Sequence, residues 1–112
     1  MEQSRITIDQ FHQLEIKIGE IISAEKVVDS DKLLRLEVNF NEEKPRQIVS
    51  GIATYFSEPS MLVGKKCAFA TNLEPRTIRG LESNGMILAV SDDNSFSLLE
   101  TQSDTTVGLR VK

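Results

Sequence analysis

Two arginine-containing stretches hold the side chains best suited to binding a phosphate group. They cover residues 45–52 and 72–80, and both mix guanidinium groups with small polar and turn-forming residues. A guanidinium is a planar donor that pairs with phosphate and stacks on bases, while Asn, Gln and Ser side chains read base edges or ribose hydroxyls. The two stretches therefore predict a surface for a folded RNA. The competing interpretation is that Arg76 and Arg79 only balance the surface carboxylates of Glu74 and Glu82.

The charge distribution along the chain favours a local anion-binding surface on an acidic protein. The 112 residues carry 13 basic and 17 acidic side chains, for a net charge of −4. Residues 44–79 alone carry six basic and two acidic side chains, whereas the segments on either side are net acidic. The overall charge weakly disfavours a polyanionic partner, but a basic middle of this kind is typical of a phosphate-binding patch. Chance clustering on a solvated surface is the alternative.

Residue types that serve catalysis or metal binding are isolated in this sequence. His12 is the only histidine and Cys67 the only cysteine, so an internal disulfide and a cysteine-based metal site are both excluded. Cys67 lies in an apolar stretch, which is typical of a buried structural thiol. The acidic pairs at 42–43 and 92–93 fall in predicted turns, and the six glycines match no phosphate-cradling loop. The sequence predicts neither an enzyme nor a bound cofactor or metal.

Length and hydropathy indicate one domain, residues 1–112, without a membrane partner. The longest uninterrupted apolar run is residues 86–90, far below the roughly 20 residues that a transmembrane helix needs. The first ten residues are polar and lack the apolar region of a signal peptide. A single cysteine also fits a reducing compartment. We therefore expect a cytoplasmic protein.

Alternating apolar residues predict the strands that must position the two arginine-containing stretches. Residues 34–40 alternate without interruption, and the polar turn at 41–45 joins them to 46–50 as a hairpin. Residues 16–24 alternate but change phase just after Gly19, which predicts a bulge that lets one strand serve both sides of a barrel. Further short strands are predicted over residues 65–72, 86–90 (fully buried), 95–99 and 107–111.

Two short helices complete the prediction. One covers residues 9–14 with Asp9 as its N-cap, and the other residues 54–63, with Ser57 as cap and Pro59 in the first turn. Helices do not alternate with strands, so the fold class is all-β. A five-stranded Greek-key barrel with a short helix between strands three and four is the OB-fold pattern. Phe40 and Phe69 are predicted to be buried, which disfavours RNA binding by aromatic stacking.

The order of several short motifs resembles the OB-fold tRNA-binding domain family. This family includes free-standing tRNA-binding proteins and the C-terminal domain of bacterial methionyl-tRNA synthetase. The resemblance covers about residues 8–112, and its motifs lie at 16–21, 31–33, 46–52, 63–66, 72–80, 82–86, 97–99 and 107–108. CsaA-type chaperones share the fold, but residues 72–86 are more similar to the tRNA-binding branch.

The resemblance implies a non-catalytic domain that binds the outside of tRNA by shape. It implies a barrel over about residues 15–90 and a homodimer built from flanking segments, about residues 1–14 and 91–112. An aminoacyl-tRNA synthetase is the implied partner, of which the chain would be a part or an accessory. Carried over by motif position, the RNA-contacting residues are Lys32, Arg46, Ser50, Asn72, Arg76, Arg79, Ser83 and Met86. Lysine and arginine would contact phosphates, Asn and Ser riboses or bases, and Met86 would give an apolar contact unless it lies in the core.

Two positions depart from the family pattern and keep other functions open. Glu74 and Thr77 stand where many members carry lysine. Their loss of positive charge predicts weak tRNA binding that depends strongly on salt. The alternatives are a dimerisation domain that has lost RNA binding and a CsaA-like peptide-binding chaperone. Apolar residues of both flanking segments are suited either to dimerisation or to packing on the chain's own barrel: Ile6, Ile8, Phe11, Leu14, Val107, Leu109 and Val111.

Overall fold

The alternating apolar residues build a five-stranded antiparallel sheet that curls into a nearly closed barrel. The computed structural model describes residues 4–112, within which nine strands form. They are β1 (Ile16–Lys26), β2 (Leu34–Asn39), β3 (Arg46–Ser50), β4 (Lys66–Ala70), β5 (Arg76–Ile78), β6 (Leu81–Ser83), β7 (Met86–Ile87), β8 (Ala89–Ser91) and β9 (Phe96–Leu98). The barrel sheet has the order β3-β2-β1-β4-β7, and β5-β6 and β8-β9 are separate hairpins. The predicted all-β OB-like fold is confirmed.

The long strand β1 serves both sides of the barrel, as its phase change predicts. Its first half pairs with β4, from Ile16 opposite Ala70 onward, and its second half pairs with β2 as far as Lys26 opposite Leu34. The register shifts between Ile21 and Ser23, two residues beyond the predicted point. Position 19 has no room for a side chain, because a Cβ there would come within 2.5 Å of the Val38 side chain. The bulge in β1 is therefore confirmed with a small displacement.

The core lies inside the barrel and contains the residues that alternation places inward. Leu34, Leu36 and Val38 are fully buried, and Phe40 meets Phe69 edge to face with ring centroids 5.2 Å apart. The predicted burial of both phenylalanines is confirmed. Cys67 is also fully buried, and loss of solvation there raises the pKa of its thiol to about 12. The thiol is therefore neutral at physiological pH, as expected of a structural cysteine.

The β5–β6 hairpin closes the remaining seam of the barrel and was not predicted from the sequence. The Ser83 hydroxyl accepts a hydrogen bond from the Val49 backbone N–H at 2.9 Å. The Asn84 N–H donates to the Gln47 carbonyl at 2.9 Å, and the Gln47 side-chain amide donates to the Glu82 carbonyl at 2.9 Å. These bonds connect β6 and the residue after it to β3, so the hairpin is fixed to the barrel at its base.

Of the two predicted helices, the N-terminal one forms with different bounds and a different cap, and the one predicted over residues 54–63 with Ser57 as cap does not form. Between β3 and β4 the chain makes two short 3-10 helices, Ala53–Tyr55 and Pro59–Leu62, instead of the one helix predicted over residues 54–63. Pro59 explains the break, because a residue before proline avoids the helical conformation, and Glu58 is extended. The N-terminal helix α1 covers Ile8–Phe11, and its cap is Thr7, which forms a capping box with Gln10. The prediction of Asp9 as the cap was wrong.

The apolar run at residues 86–90 is not one buried strand, and that prediction was wrong. It is divided between β7 and β8, and the side chains of Met86 and Val90 are 47% and 55% exposed. Only Ile87 of this run lies in the core. The reason is that each of these short strands has one face outside the barrel. No helix in residues 4–112 is long and apolar enough to span a bilayer.

Both flanking segments are held against the chain's own barrel by hydrogen bonds to their backbone, from the Asn72 side chain to the Gln13 carbonyl at 2.7 Å in the N-terminal segment and from the backbone of β1 in the C-terminal one. The C-terminal segment runs beside the first half of β1, where the Ile18 N–H donates to the Leu109 carbonyl at 2.9 Å and the Val111 N–H to the Ile16 carbonyl at 2.7 Å. The side chains of Ile6 and Leu109 are more than half exposed. The backbone of these segments is therefore held within the chain, while part of their apolar surface faces outward.

Candidate nucleic-acid interface

The structure brings the loop between β1 and β2 against the tip of the β5–β6 hairpin. Arg79, at that tip, donates a hydrogen bond from Nη1 to the Asp29 carbonyl at 3.4 Å. Lys32 lies in the same loop, and its carbonyl accepts from the Ala53 N–H at 2.9 Å. We call residues 27–33 and 76–81 together the loop–hairpin surface. Loops at this end of an OB barrel are the ones that bind oligonucleotides.

Three of the predicted RNA-contacting residues lie on the loop–hairpin surface with exposed side chains. They are Lys32, Arg76 and Arg79. Of the four ion pairs within residues 4–112, none involves any of these three. No ion pair in the described part of the chain therefore supports the interpretation that Arg76 and Arg79 balance Glu74 and Glu82. Their positive charges are available to an external anion.

Arg46 is held by its own chain instead. Its Nε and Nη2 donate to the two oxygens of Glu42 at 2.9 and 2.8 Å, and Nη1 donates to the Thr71 carbonyl at 2.6 Å. The guanidinium also lies 5.3 Å from the centre of the Phe40 ring. The hydrogen bond from Arg46 lowers the pKa of Glu42 below its usual value. Arg46 therefore fixes the β2–β3 turn to the end of β4, with most of its donors occupied.

Asn72 and Ser83 are also occupied by internal hydrogen bonds. The Asn72 side chain accepts from the Glu15 N–H and donates to the Gln13 carbonyl, both at 2.7 Å. Ser83 is 4% exposed, with its hydroxyl in the seam beside Val49. Their roles in RNA contact stay predictions, but in this structure both side chains hold the fold together.

The last two predicted residues differ in how much solvent they reach. Ser50 is half-buried at the end of β3, opposite Leu34. Met86 pairs with Ala70 across β4 and β7 and is 47% exposed. The alternative that Met86 lies in the core is thereby excluded. Met86 presents an apolar side chain to solvent, and Ser50 presents a partly accessible hydroxyl.

The basic middle of the sequence does not form one continuous patch. Lys65 pairs with Glu100 at 3.3 Å, and the Lys66 ammonium donates to the carbonyls of Ser103 and Thr105, both at 2.7 Å. These two lysines therefore fasten the C-terminal segment to β4. Together with Arg46 and with Arg79, which donates to the Asp29 carbonyl, four of the six cations in residues 44–79 have partners within the chain.

Sequence reasoning missed two cations beside the loop–hairpin surface. Lys26 ends β1, and Arg35 lies next to it on β2, paired with Glu25 across the two strands. Strand alternation carries the missing signal, because Arg35 stands between the buried residues Leu34 and Leu36 and so points outward. Within residues 4–112, no group of three or more His, Cys, Asp or Glu side chains could hold a metal ion.

Solved structures of other proteins share this fold over almost the whole chain. A methionyl-tRNA synthetase-related protein from Pyrococcus horikoshii superposes with a TM-score of 0.90 at 35% identity, covering 98% of this chain and all of that one. The chaperone CsaA from Bacillus anthracis superposes with a TM-score of 0.83 at 23% identity, covering 97% of this chain and all of that one. At that identity the second likeness shows the fold alone.

Sequence comparison gives the family. The methionine–tRNA ligase of Methanococcoides burtonii is 48% identical over 105 residues, covering 92% of this chain and 15% of the ligase. The Thermotoga maritima ligase is 43% identical over 110 residues, covering 98% of this chain and 17% of the ligase. The chain thus spans only a small part of the length of these relatives. Residues 16–110 match the family described as "Putative tRNA binding domain", and the chain therefore belongs to the tRNA-binding domain family.

Proposed function

We propose that this chain is a non-catalytic module that binds tRNA by its shape and acts as a homodimer, in or alongside a methionyl-tRNA synthetase. The observation that carries the proposal is the group of three exposed cations on the loop–hairpin surface, Lys32, Arg76 and Arg79. Family membership supports tRNA as the ligand. The relatives that are methionine–tRNA ligases support a synthetase as the partner.

Recognition by shape is supported by the small number of free groups that could read a base. Two of the predicted polar contacts, Asn72 and Ser83, are engaged in hydrogen bonds to the backbone of their own chain. Cations that reach phosphates fix the position and orientation of a nucleic acid without reading its sequence. A binding surface dominated by three such cations should therefore accept different tRNAs with similar affinity.

The homodimer is supported by apolar side chains that the flanking segments leave exposed. Ile6, Ile8 and Leu109 are 65%, 67% and 52% exposed. Apolar surface of this kind is often covered by a protein partner. A dimer would also present two loop–hairpin surfaces to one tRNA, which raises the effective concentration for the second contact. Charge reversal by Arg76→Glu with Arg79→Glu should abolish tRNA binding and leave the dimer intact in sedimentation.

A tRNA titration at two salt concentrations tests the proposal. Three phosphate contacts in one protomer predict a slope of log affinity against log salt of about −2 to −3. Raising salt from about 20 to about 200 mM should then weaken binding by about 100-fold or more. Affinity that does not change between these conditions would contradict an electrostatic tRNA module. Absence of binding even at low salt would favour the dimerisation domain without RNA binding.

A further inference from the structure

A cavity of about 250 Å³ opens between the end of β1, the neighbouring part of β2 and the β5–β6 hairpin. We call it the hairpin cavity. Lys26, Arg35 and Arg79 contribute positive charge to its walls, and Glu25 contributes one carboxylate. The hairpin cavity is therefore net positive even though the whole chain is acidic.

Two of the cations are held in defined positions. Arg35 pairs with Glu25 across β1 and β2, and its guanidinium lies at the cavity wall. Arg79 has a φ of 52° and extends from the hairpin tip to the Asp29 carbonyl. That hydrogen bond connects the two sides of the cavity mouth. A guanidinium offers both a flat face for stacking and N–H groups for an anion.

Apolar side chains complete the lining. Val27, Val28 and Leu81 contribute to the walls, and the Val28 side chain is 83% exposed. A free phosphate would use the cations of this cavity but would gain nothing from three apolar side chains. A ligand that combines an anion with a flat, weakly polar ring would use both. The lining therefore matches a nucleotide better than an inorganic anion.

We propose that the hairpin cavity binds one nucleotide that is turned out of a folded RNA. Its phosphate contacts Arg79 and Lys26, and its base lies on the Arg35 guanidinium and against Val28 and Leu81. Unstacked bases are commonly read by stacking on guanidinium planes. The volume lies below the roughly 300 Å³ of the smallest sites for drug-sized ligands, which suits one base with part of its sugar. This inference rests on the proposed function, because it makes the cavity a part of the RNA surface.

The test uses the full chain and ¹H–¹⁵N NMR spectra. AMP, GMP, CMP and UMP are titrated separately, with inorganic phosphate as the matched anion. We expect each nucleotide to shift amide signals of residues 25–28, 35 and 79–81, and phosphate alone to leave most of them unchanged. The binding of tRNA is measured on the same sample by mobility shift.

Two variants with the same charge change separate the cavity from general repulsion. Val28→Glu places a carboxylate at the cavity mouth, and the exposure of Val28 means that the fold is unaffected. Repulsion of the ligand phosphate should weaken nucleotide binding at least about fivefold. Val90→Glu changes a 55% exposed valine on β8 and should leave nucleotide affinity within about twofold. Dispersed spectra of both variants show that each is folded.

The outcomes distinguish this inference from the proposed function. Localised shifts that Val28→Glu removes and Val90→Glu retains would support the nucleotide site. Equal shifts from phosphate, or an equal loss in both variants, would overturn it. Binding of tRNA with nucleotide shifts scattered over the surface would overturn the site and leave the proposed function standing. Localised nucleotide shifts without tRNA binding would keep the site and refute the proposed function.

Discussion

Removing the two arginines of the β5–β6 hairpin should lower both the affinity for tRNA and its dependence on salt. Arg76 and Arg79 are exposed and make no ion pair within residues 4–112. The double change Arg76→Gln with Arg79→Gln therefore removes two positive charges without leaving a buried carboxylate unpaired. Glutamine keeps much of the side-chain length, so the hairpin should be preserved.

The expected magnitude follows from counterion release. Each lost phosphate contact should make the slope of log affinity against log salt less steep by about 0.7 to 0.9. When counterion release accounts for the change, the loss of two phosphate contacts should weaken tRNA binding by about 100-fold near 50 mM salt and by about 20-fold near 150 mM. Counting only the three cations of the loop–hairpin surface, one protomer's slope should change from about −2 to −3 to about −1.

The assay is a set of tRNA titrations at four or more salt concentrations, with a charge-matched control. The control is Lys44→Gln with Lys112→Gln. Lys44 lies in the β2–β3 turn, separated from the loop–hairpin surface by the six residues of β2, or about 20 Å. Lys112 follows Val111, whose N–H donates to the carbonyl of Ile16, the first residue of β1. That residue lies at the same end of the barrel as the β2–β3 turn. Equal slopes for the two double variants would refute the assignment of Arg76 and Arg79 to phosphate contacts.

Three further predictions concern residues whose roles are internal. Ser83→Ala leaves the buried Val49 N–H without its partner and should cost about 1–3 kcal/mol in the free energy of unfolding, measured by urea denaturation, without changing the salt slope. Arg46→Gln should lower the free energy of unfolding at neutral pH, because it removes the stabilisation that accompanies the lowered pKa of Glu42 in the folded state. The wild type loses that stabilisation as acid protonates Glu42, so the stabilities of the two proteins should converge in an acid titration. A lower salt slope at unchanged stability would contradict this. Burial raises the pKa of the Cys67 thiol to about 12. The neutral thiol therefore contributes its full stabilisation below its ordinary pKa of about 8.5, and this stabilisation is lost as the pH rises toward 12. Cys67→Ala should remove this loss of stability at alkaline pH.

The barrel was predictable because one local pattern determines most of it. Strand β2 and the beginning of β1 carry apolar residues at every second position, β4 is a short continuous apolar run, and the polar turn at 41–45 fixes the register of β2 with β3. Gly19 lies two residues before the bulge of β1 and is a glycine for a steric reason, since Val38 and Phe40 lie too close for a side chain. Alternation, turn composition and a glycine at a phase change are all readable from neighbouring residues.

The β5–β6 hairpin was missed because its signals are weak or unusual. Each strand has three residues, too few for a clear alternation. Its turn has Arg79 and Gly80 at φ values of 52° and 79°. Two consecutive positive φ values are typical of a tight hairpin turn, but an arginine at the first of them is uncommon. The seam hydrogen bond of Ser83 to Val49 joins residues 34 positions apart, which no local pattern records.

The chemistry that suits a cation to phosphate suits it equally to the carboxylates and carbonyls of its own chain. Arg46 reaches the Thr71 carbonyl 25 residues away, and Lys66 reaches Thr105 across 39 residues. These partners are assigned by the topology of the barrel, so the count of basic residues in 44–79 overstates the surface available to RNA. On the hairpin, the Arg76 side chain makes no hydrogen bond within residues 4–112 and Arg79 makes one, to the Asp29 carbonyl, so both arginines keep donors for a ligand. The salt slope of one protomer should therefore follow three cations, at about −2 to −3. If all six cations of the basic middle reached phosphates, the slope would be about −4 to −5.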